Sequence, residues 1–303
     1  MADSIVPNTV LIKDLVDQLI SDSETVAAAR ASGRASGPVT GLKTLDVLLG
    51  GYLPPGLHIL HSGTSVGKTA LALQIASMCG FPALFVSTET HILELFRRLI
   101  ARTTKTALER LKTGELSANA IGYLAKQTIE QSPTLAIMDA TTCSVSISQI
   151  AEVATSLRDW AGSNRILVII DSIQFWSRPE IEFGKGSDQD FIASAVRNAS
   201  ELAARLSSPV LALSHKNRSS MDKAQQTGAH PSVISQSGSG KAFDYEYFAE
   251  TVLELTKDKE LKTDAMSAKS ALTLVVRKNR HGNVGVNVPL DFTGQFQSFT
   301  EKL

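Results

Sequence analysis

Short apolar segments alternate with longer segments of helical periodicity through most of the chain. The apolar segments are rich in Ile, Leu and Val, and they are Leu57–Leu60, Ala83–Val86, Thr134–Met138, Ile166–Ile170 and Val210–Leu213. Apolar residues recur at helical spacing in Lys68–Met78, Ile92–Ala101, Ala118–Glu130, Ile147–Trp160 and Ala193–Leu206. Continuously apolar strands separated by helices are typical of a parallel sheet that is covered on both faces. The pattern therefore predicts an α/β fold with a mostly parallel central sheet and helices on both faces.

The C-terminal part has a different pattern, because its apolar segments follow one another with turns and no helices between them. These segments are Thr251–Leu255, Leu272–Arg277, Val284–Leu290 and Gln295–Phe299. Gly282 and Asn283 form a turn signal before the third segment. Strands that are joined by turns pair in antiparallel fashion, so we expect an antiparallel C-terminal extension on one edge of the sheet.

The N-terminal part predicts one amphipathic helix over residues 9–31, followed by a Gly/Ser-rich linker at residues 31–41. We therefore divide the chain into an N-terminal helix and linker, residues 1–39, and an α/β domain, residues 40–303. The helix has two interpretations, which are packing on its own domain and docking on a neighbouring subunit.

Composition excludes several classes of protein. The chain has 303 residues, of which 43% are apolar and 20% are charged, and its 30 basic and 30 acidic residues give no net charge. No overall field therefore attracts nucleic acid or a membrane surface, although local basic loops remain possible. The apolar runs are too short to span a membrane, and no secretory signal is evident. The two cysteines lie outside any CxxC pair, which favours a cytoplasmic protein without a zinc or disulfide framework.

Residues 62–69 have the sequence of a phosphate-binding loop between a predicted strand and a predicted helix. They follow the pattern GxxxxGK[ST], except that Ser62 replaces the first glycine. Small residues allow backbone N–H groups to turn toward phosphate, and the helix N-terminus adds its dipole. We expect Lys68 to contact the β- and γ-phosphates and Thr69 to hold Mg²⁺. The expected nucleotide-binding residues are Ser62, Gly63, Thr64, Ser65, Val66, Gly67, Lys68, Thr69 and Ala70. The alternative is an ordinary glycine-rich turn.

Two carboxylates follow predicted strands and support this interpretation. Asp171 ends the strand at 166–170, where a carboxylate beside a phosphate loop holds Mg²⁺, usually through water. Glu89 follows the strand at 83–86, where it could polarise the water that attacks the γ-phosphate. The alternatives are a strand that merely ends in a polar residue and a helix N-terminus, where Glu is favoured.

These motifs resemble those of the RecA-like ATPases, and within them the DnaB-type replicative helicases and the bacterial RadA/Sms recombination ATPases. The similarity extends from about Thr40 to Phe299, and residues 40–46 are similar to the start of the RecA-like core. DnaB-type loops also often lack the first glycine. The resemblance implies a RecA-like P-loop NTPase core that uses ATP and Mg²⁺, with Glu89 as the catalytic glutamate and Asp171 in the second nucleotide motif.

The resemblance also assigns three residues outside the phosphate loop. Residues 214–218, Ser-His-Lys-Asn-Arg, are similar to the sensor motif, in which His215 would detect the γ-phosphate. Residues 277–282 are similar to the KxRxG element, in which Arg280 would be the arginine finger for the neighbouring subunit's γ-phosphate and Lys278 its companion. The alternatives are a histidine without a special role and a basic surface hairpin.

Two loops of this family face a central channel and bind single-stranded DNA, and here they would lie at about residues 178–190 and 217–241. The candidate DNA-binding residues are Arg178, Lys185, Arg218, Lys223 and Lys241. Local positive charge suits contact with the phosphate backbone, whereas the scarcity of aromatic residues gives base stacking little support. A solvated flexible loop is the alternative.

The resemblance thus implies an ATP-hydrolysing homo-oligomer, expected to be a hexamer with ATP at subunit boundaries. It would act as a helicase, translocase or mediator on single-stranded DNA in DNA replication or recombination. The accessory domains of both subfamilies are not recognised in these 303 residues. A KaiC-like regulatory or scaffold ATPase therefore stays open as an alternative, as does a structural subunit with little hydrolysis.

Overall fold

The structure is a computed structural model that describes residues 10–177, 188–215, 245–257 and 269–302. It divides into two compact units, Met1–Ser36 and Gly37–Leu303.

The described part of the first unit is a single helical segment. A 3₁₀ turn, Ile12–Leu15, leads into helix α1, Val16–Ala31, so the α-helix begins later than the sequence pattern predicts. No side chain caps the N-terminus of α1, and a tight 3₁₀ turn satisfies part of its backbone instead. None of the residues of α1 is buried, and Leu19 is 67% exposed. The apolar positions of this helix are therefore open to contact.

The second unit contains a nine-stranded sheet in the order β3-β2-β4-β5-β1-β6-β7-β8-β9. The strands are β1 (Gly56–Ser62), β2 (Ala83–Ser87), β3 (Leu135–Asp139), β4 (Leu167–Asp171), β5 (Pro209–His215), β6 (Ala249–Lys257), β7 (Lys269–Asn279), β8 (Asn287–Thr293) and β9 (Ser298–Glu301). The helices are α2 (Lys43–Leu48), α3 (Lys68–Met78), α4 (Ile92–Thr104), α5 (Ala118–Gln131), α6 (Ile147–Trp160), α7 (Ile173–Trp176) and α8 (Asp188–Leu206). The predicted mixed α/β fold is confirmed.

Six adjacent strands, β3 to β6 in spatial order, are parallel, and β7 to β9 continue the sheet in antiparallel fashion. The antiparallel extension is therefore confirmed for β7, β8 and β9. The strand at Thr251–Leu255 lies in β6, which pairs in antiparallel fashion with β7, as expected, and in parallel with β1. The parallel pairing was not expected, and the long connection after β5 explains it, because a chain needs a dozen or more residues to return to the same end of a sheet.

Helices cover both faces of the sheet, as predicted. On one face, Leu71, Ile75 and Leu95 of α3 and α4 pack against alternate strand residues. On the other face, Ile150 of α6 and Leu202 of α8 pack against the residues between them. Strand side chains point to opposite faces in turn, so uniformly apolar strands fill both layers. The pattern missed α2 and α7, because each is too short to show a helical period.

The segment at residues 40–46 is held by one carboxylate. The backbone N–H and the hydroxyl of Thr40 both donate to Asp46 Oδ1 at 2.7 Å, and the N–H of Gly41 donates to Oδ2 at 3.1 Å. Burial raises the pKa of Asp46 above its usual value, and these hydrogen bonds act in the opposite direction. The hydrogen bonds from Thr40 and Gly41 to Asp46 therefore stabilise the turn that leads into α2.

No helix in the described ranges has both the length and the apolar content that crossing a membrane requires.

Candidate functional site

The carboxyl ends of four adjacent strands, β2, β4, β5 and β1, meet at one edge of the sheet. Ser62, Asp171 and His215 are the last residues of β1, β4 and β5, and Glu89 lies just beyond the end of β2. Ligands of open α/β sheets bind outside this end of the strands. Chain segments that are far apart in sequence therefore deliver polar side chains to one place.

The predicted phosphate loop connects β1 directly to α3. Ser65 and Gly67 have positive φ angles of 58° and 109°, which turn the backbone sharply before the helix begins. A Cβ on Gly67 would lie 3.0 Å from Cζ of Phe299, so both the φ angle and the packing favour glycine. Ser62 is buried in the last extended position of β1, and its hydroxyl is 3.1 Å from Nζ of Lys68. This position accepts a side chain, and serine supplies an acceptor for the lysine.

Lys68 is only 5% exposed although it carries a charge. Its Nζ lies 3.2 Å from Nδ1 of His215 and 3.4 Å from the carbonyl oxygen of Gly63. Burial lowers the pKa of the Lys68 ammonium, and the carboxylates of Asp171 and Glu89 act in the opposite direction. A cation held by a few oxygen and nitrogen atoms in such a place attracts an anionic ligand strongly.

Thr69 and Asp171 form the oxygen-rich part of the site. The Thr69 hydroxyl donates to Oδ2 of Asp171 at 2.7 Å. Burial raises the pKa of the Asp171 carboxyl, and the hydrogen bond from Thr69 opposes that shift. Thr88 fixes the backbone of Asp171, because its own backbone N–H and its hydroxyl both donate to the Asp171 backbone carbonyl at 2.8 Å. A hydroxyl and a carboxylate at this spacing are the hard oxygen ligands that Mg²⁺ prefers.

Within the described ranges, no group of three or more His, Cys, Asp or Glu side chains is arranged to hold a metal ion by itself. Mg²⁺ is usually bound by one or two protein oxygens together with water and phosphate oxygens. The donor set of Thr69 and Asp171 therefore fits that ion.

His215 lies between Lys68 and Glu89. Its Nδ1 accepts from the ammonium of Lys68, which assigns the ring proton to Nε2, and Nε2 is 3.4 Å from Oε2 of Glu89. The Glu89 side chain is 42% exposed, so a water molecule has access to it. The histidine therefore connects the phosphate-loop lysine to the carboxylate that was predicted to activate water.

Gln174 is a residue of this site to which the sequence analysis assigned no role. Its side-chain Oε1 accepts from the backbone N–H of His215 at 3.3 Å, and its Nε2 donates to the Ser214 hydroxyl at 2.8 Å. It thereby ties the end of β5 to α7, which follows Asp171 closely. The only sequence signal was its place shortly after Asp171, and a glutamine at that spacing has no distinctive chemistry.

Lys278 and Arg280 lie at the opposite end of the sheet from the phosphate loop. Asn279 pairs with Thr251, and Thr251 pairs with His58 near the start of β1. The step from His58 to Ser62 alone is about 13 Å along the strand. Arg280 donates to Glu250 Oε1 at 3.1 Å and to the Tyr247 carbonyl at 2.8 Å, and Lys278 donates to that carbonyl at 3.4 Å.

The structure thus brings together Lys68, Thr69, Asp171, Glu89 and His215, and it separates Lys278 and Arg280 from them. The predicted DNA-binding residues lie outside the described residues; they are Arg178, Lys185, Arg218, Lys223 and Lys241.

Known sequences match nearly the whole chain. The sequence model of the DnaB-like helicase C terminal domain matches residues 37–301. The replicative DNA helicase DnaB of Treponema pallidum (strain Nichols) is 27% identical over 305 residues, which cover 96% of this chain and 62% of that protein. The replicative DNA helicase DnaB of Geobacillus stearothermophilus is 28% identical over 293 residues, which cover 95% and 61%. The chain spans about three fifths of the length of these curated relatives.

Solved structures share the fold at lower identity. A DnaB-like replicative helicase, solved in a study of its interactions with primase, superposes with a TM-score of 0.71 and 22% identity, covering 97% of this chain and 67% of that protein. The KaiC-like protein PH0186 from Pyrococcus horikoshii OT3 superposes with a TM-score of 0.53 and 16% identity, covering 88% and 98%. Both similarities identify the RecA-like ATPase fold. The sequence match over residues 37–301 shows that this chain belongs to the family of DnaB-like helicase C-terminal domains.

Proposed function

We propose that this chain is the ATP-hydrolysing part of an oligomeric motor that acts on single-stranded DNA in replication or recombination. The observation that carries the proposal is the convergence of Lys68, Asp171, Glu89 and His215 at one edge of the sheet, in a chain of the DnaB-like family. The two relatives described above are named as replicative DNA helicases. Such a motor would work in the cytoplasm.

The phosphate loop and α3 would hold the triphosphate of ATP. The backbone N–H groups of residues 63–69 and the N-terminus of α3 form a site of positive potential, which suits phosphate oxygens. Lys68 would contact the β- and γ-phosphates from its buried position. Thr69 and Asp171 would hold Mg²⁺, the latter through water, and the ion when bound would neutralise charge on the phosphate oxygens.

Glu89 and His215 would act on the γ-phosphate side of the site. Glu89 is exposed enough to accept a proton from the attacking water, as a general base does. His215 would detect the γ-phosphate through its contacts with Lys68 and Glu89. Gln174 would carry a change at His215 to α7, because it hydrogen-bonds the backbone of His215. Residues 178–187, which follow α7, include part of the first predicted DNA loop.

Arg280 and Lys278 would complete the site of a neighbouring subunit. They lie too far along the sheet to reach the phosphate loop of their own chain. A guanidinium that contacts the γ-phosphate from a neighbour stabilises the charge of the transition state. This arrangement supports a homo-oligomer, as a hexamer with ATP at subunit boundaries. A ring would also direct six copies of Arg178, Lys185, Arg218, Lys223 and Lys241 toward DNA.

We propose that residues 1–39 form a docking segment rather than part of the ATPase domain at residues 40–303. The exposed apolar positions of α1 and the turn before it, including Leu15, Leu19 and Ile20, would contact an adjacent subunit. A helix without buried residues gains stability only through such contacts.

A KaiC-like regulatory ATPase is the second candidate, and the shared fold with a KaiC-like protein is its support. Its nucleotide state would control assembly and partner binding without movement along DNA. The two candidates differ in whether single-stranded DNA changes the rate of hydrolysis.

The first prediction concerns coupling to DNA. Single-stranded DNA should stimulate steady-state ATP hydrolysis several-fold. Lys68→Ala should abolish both the basal and the stimulated rate, because it removes the buried ammonium that would contact the phosphates of ATP. The assay is phosphate release with and without single-stranded DNA, followed by strand displacement on a forked duplex. Hydrolysis that is indifferent to DNA would favour the KaiC-like alternative.

The second prediction concerns Arg280. Arg280→Ala should bind ATP normally and lose at least about a hundredfold in hydrolysis, since a trans guanidinium acts mainly in the transition state. Coexpression with Lys68→Ala should restore single-turnover hydrolysis, because the Lys68→Ala subunit still offers an intact Arg280 to its neighbour. If Arg280→Ala alone hydrolysed ATP at the wild-type rate, Arg280 would not act on the ATP of the neighbouring subunit.

The third prediction concerns the buried charge of Asp171. Its pKa is raised on folding, so the ionised carboxylate costs stability at neutral pH and the cost disappears as pH falls through the folded-state pKa. Asp171→Asn should therefore raise Tm at pH 7 by about 1–3 °C, while Mg²⁺-dependent hydrolysis is lost. The gain should shrink on acidification.

Asp139→Asn is the matched control for this prediction. Hydrogen bonds from Thr141 lower the pKa of Asp139, so its ionised form favours folding and the substitution should not raise Tm. A lower Tm for Asp171→Asn at neutral pH would contradict the predicted cost of the buried carboxylate.

The fourth prediction concerns α1. Leu19→Glu should shift the protein from hexamers to smaller species in light scattering coupled to size exclusion, because it places a charge in the proposed contact. Gln18→Glu adds the same charge at the neighbouring polar position and should leave the assembly intact. Unchanged hexamers with Leu19→Glu would show that α1 does not dock between subunits.

A further inference from the structure

Glu250 of β6 lies under the guanidinium of Arg280 and contacts this residue in two ways. Its Oε1 accepts from Nη1 of Arg280 at 3.1 Å, and its backbone carbonyl accepts from the backbone N–H of Arg280 at 3.0 Å. The Tyr247 carbonyl accepts from Nη2 at 2.8 Å. Tyr247 belongs to a 3₁₀ helix, Tyr245–Phe248, directly before β6. Two different nitrogens of the planar guanidinium are therefore fixed by two different elements, which sets the orientation of its plane.

These contacts leave donors available on Arg280. A guanidinium has five N–H groups in a fixed fork, and Glu250 and Tyr247 use two of them. The Arg280 side chain is 45% exposed, whereas the Glu250 side chain is 18% exposed. The carboxylate is thus the more enclosed partner, and the arginine can contact an external phosphate without breaking the pair.

Glu250 is itself held in place. Its Oε2 is 3.0 Å from Nε2 of His281, so each carboxylate oxygen has a separate partner. On the other side it packs on the first residue of β1, where a Cβ on Gly56 would collide with Cγ of Glu250. The φ of Gly56 is +136°, which also favours glycine at that position. The packing and the hydrogen bonds together restrict the carboxylate to one position.

We propose that Glu250 is a positioning residue for Arg280, which orders the guanidinium for the γ-phosphate of the adjacent subunit. The inference rests on the proposed function, which gives Arg280 its role in trans. An exposed arginine samples many rotamers, and a guanidinium that is ordered beforehand loses less conformational entropy when it binds phosphate. Glu250 therefore contributes to the transition state of a reaction that its own subunit does not perform.

The expected kinetic effect is on kcat rather than on KM. Glu250→Ala should lower kcat about tenfold, since misplacing a catalytic group costs one to two orders of magnitude. KM for ATP should stay within about twofold, because the ATP of each subunit is held by its own phosphate loop. Glu250→Gln keeps an oxygen acceptor for Arg280 and should recover part of the lost rate.

Glu254 offers a matched control on the same strand, β6. It forms an equivalent pair with Arg277, whose Nε lies 2.6 Å from Oε2 of Glu254. Its side chain is 7% exposed, so Glu254→Ala should cost more stability than Glu250→Ala. It should nevertheless retain kcat within about twofold, because Arg280 keeps its contacts. An equal loss of kcat in both variants would mean that strand stability, not positioning of Arg280, controls the rate.

Mixed assemblies test whether Glu250 acts in trans. Glu250→Ala coexpressed with Lys68→Ala should show single-turnover hydrolysis above the sum of the two variants alone. The Lys68→Ala subunit supplies a correctly positioned Arg280 to the intact phosphate loop of the Glu250→Ala subunit. Arg280→Ala coexpressed with Lys68→Ala is the reference pair.

The reference pair separates the possible failures. Restoration by the reference pair but not by the Glu250→Ala pair would overturn the role of Glu250 and leave the proposed function intact. If neither pair restores hydrolysis, Arg280 does not act in trans, and the proposed positioning role of Glu250 loses its basis as well. Wild-type kcat in Glu250→Ala alone would also overturn the inference.

Discussion

Two opposite charges buried at one edge of the sheet, the ammonium of Lys68 and the carboxylate of Asp171, are the constraint on which the site depends. Burial lowers the pKa of the lysine and raises that of the aspartate, so the fold holds both charges at a cost. Four parallel strands make this possible, because their carboxyl ends meet and their helices exclude water from both faces. The packing of Phe299 against Gly67 adds the C-terminal edge of the sheet to the same support. Phosphate beside Lys68 and Mg²⁺ beside Asp171 are the ligands that would compensate these two buried charges.

The length of the strands separates the predicted phosphate loop from Arg280 of the same chain. The residues that we propose to bind phosphate lie at the carboxyl ends of the parallel strands, and Arg280 lies near the amino-terminal end of β1 and β6. One chain therefore presents a nearly complete site at one edge and a guanidinium, held by Glu250, at the other. In the proposed ring, Arg280 of one subunit would meet the phosphate loop of the next. The antiparallel strands β7 to β9 have a definite role in this geometry, since the turn after β7 carries Arg280 and β9 packs on the phosphate loop.

Sequence patterns predicted the elements well where they are long, and poorly where they are short or depend on distant pairing. The helices at 68–78 and 147–160 have the predicted bounds, because local turn residues and apolar spacing define them. The direction of β6 could not be predicted, since it depends on where a long connection returns to the sheet. The contacts of Gln174 and Glu250 could not be predicted for a related reason, because their partners His215 and Arg280 are 41 and 30 residues away.

The sequence by itself determined the α/β class, and it predicted a phosphate loop at 62–69 and functional carboxylates after β2 and β4. Each of these depends on local chemistry, such as apolar runs, small residues before a helix, or a charge at a strand end. Only the tertiary structure decided that His215 lies between Lys68 and Glu89, and that Arg280 lies at the far end of the sheet. Those relations follow from the order of strands in space, which long-range pairing and the burial of two apolar layers select together.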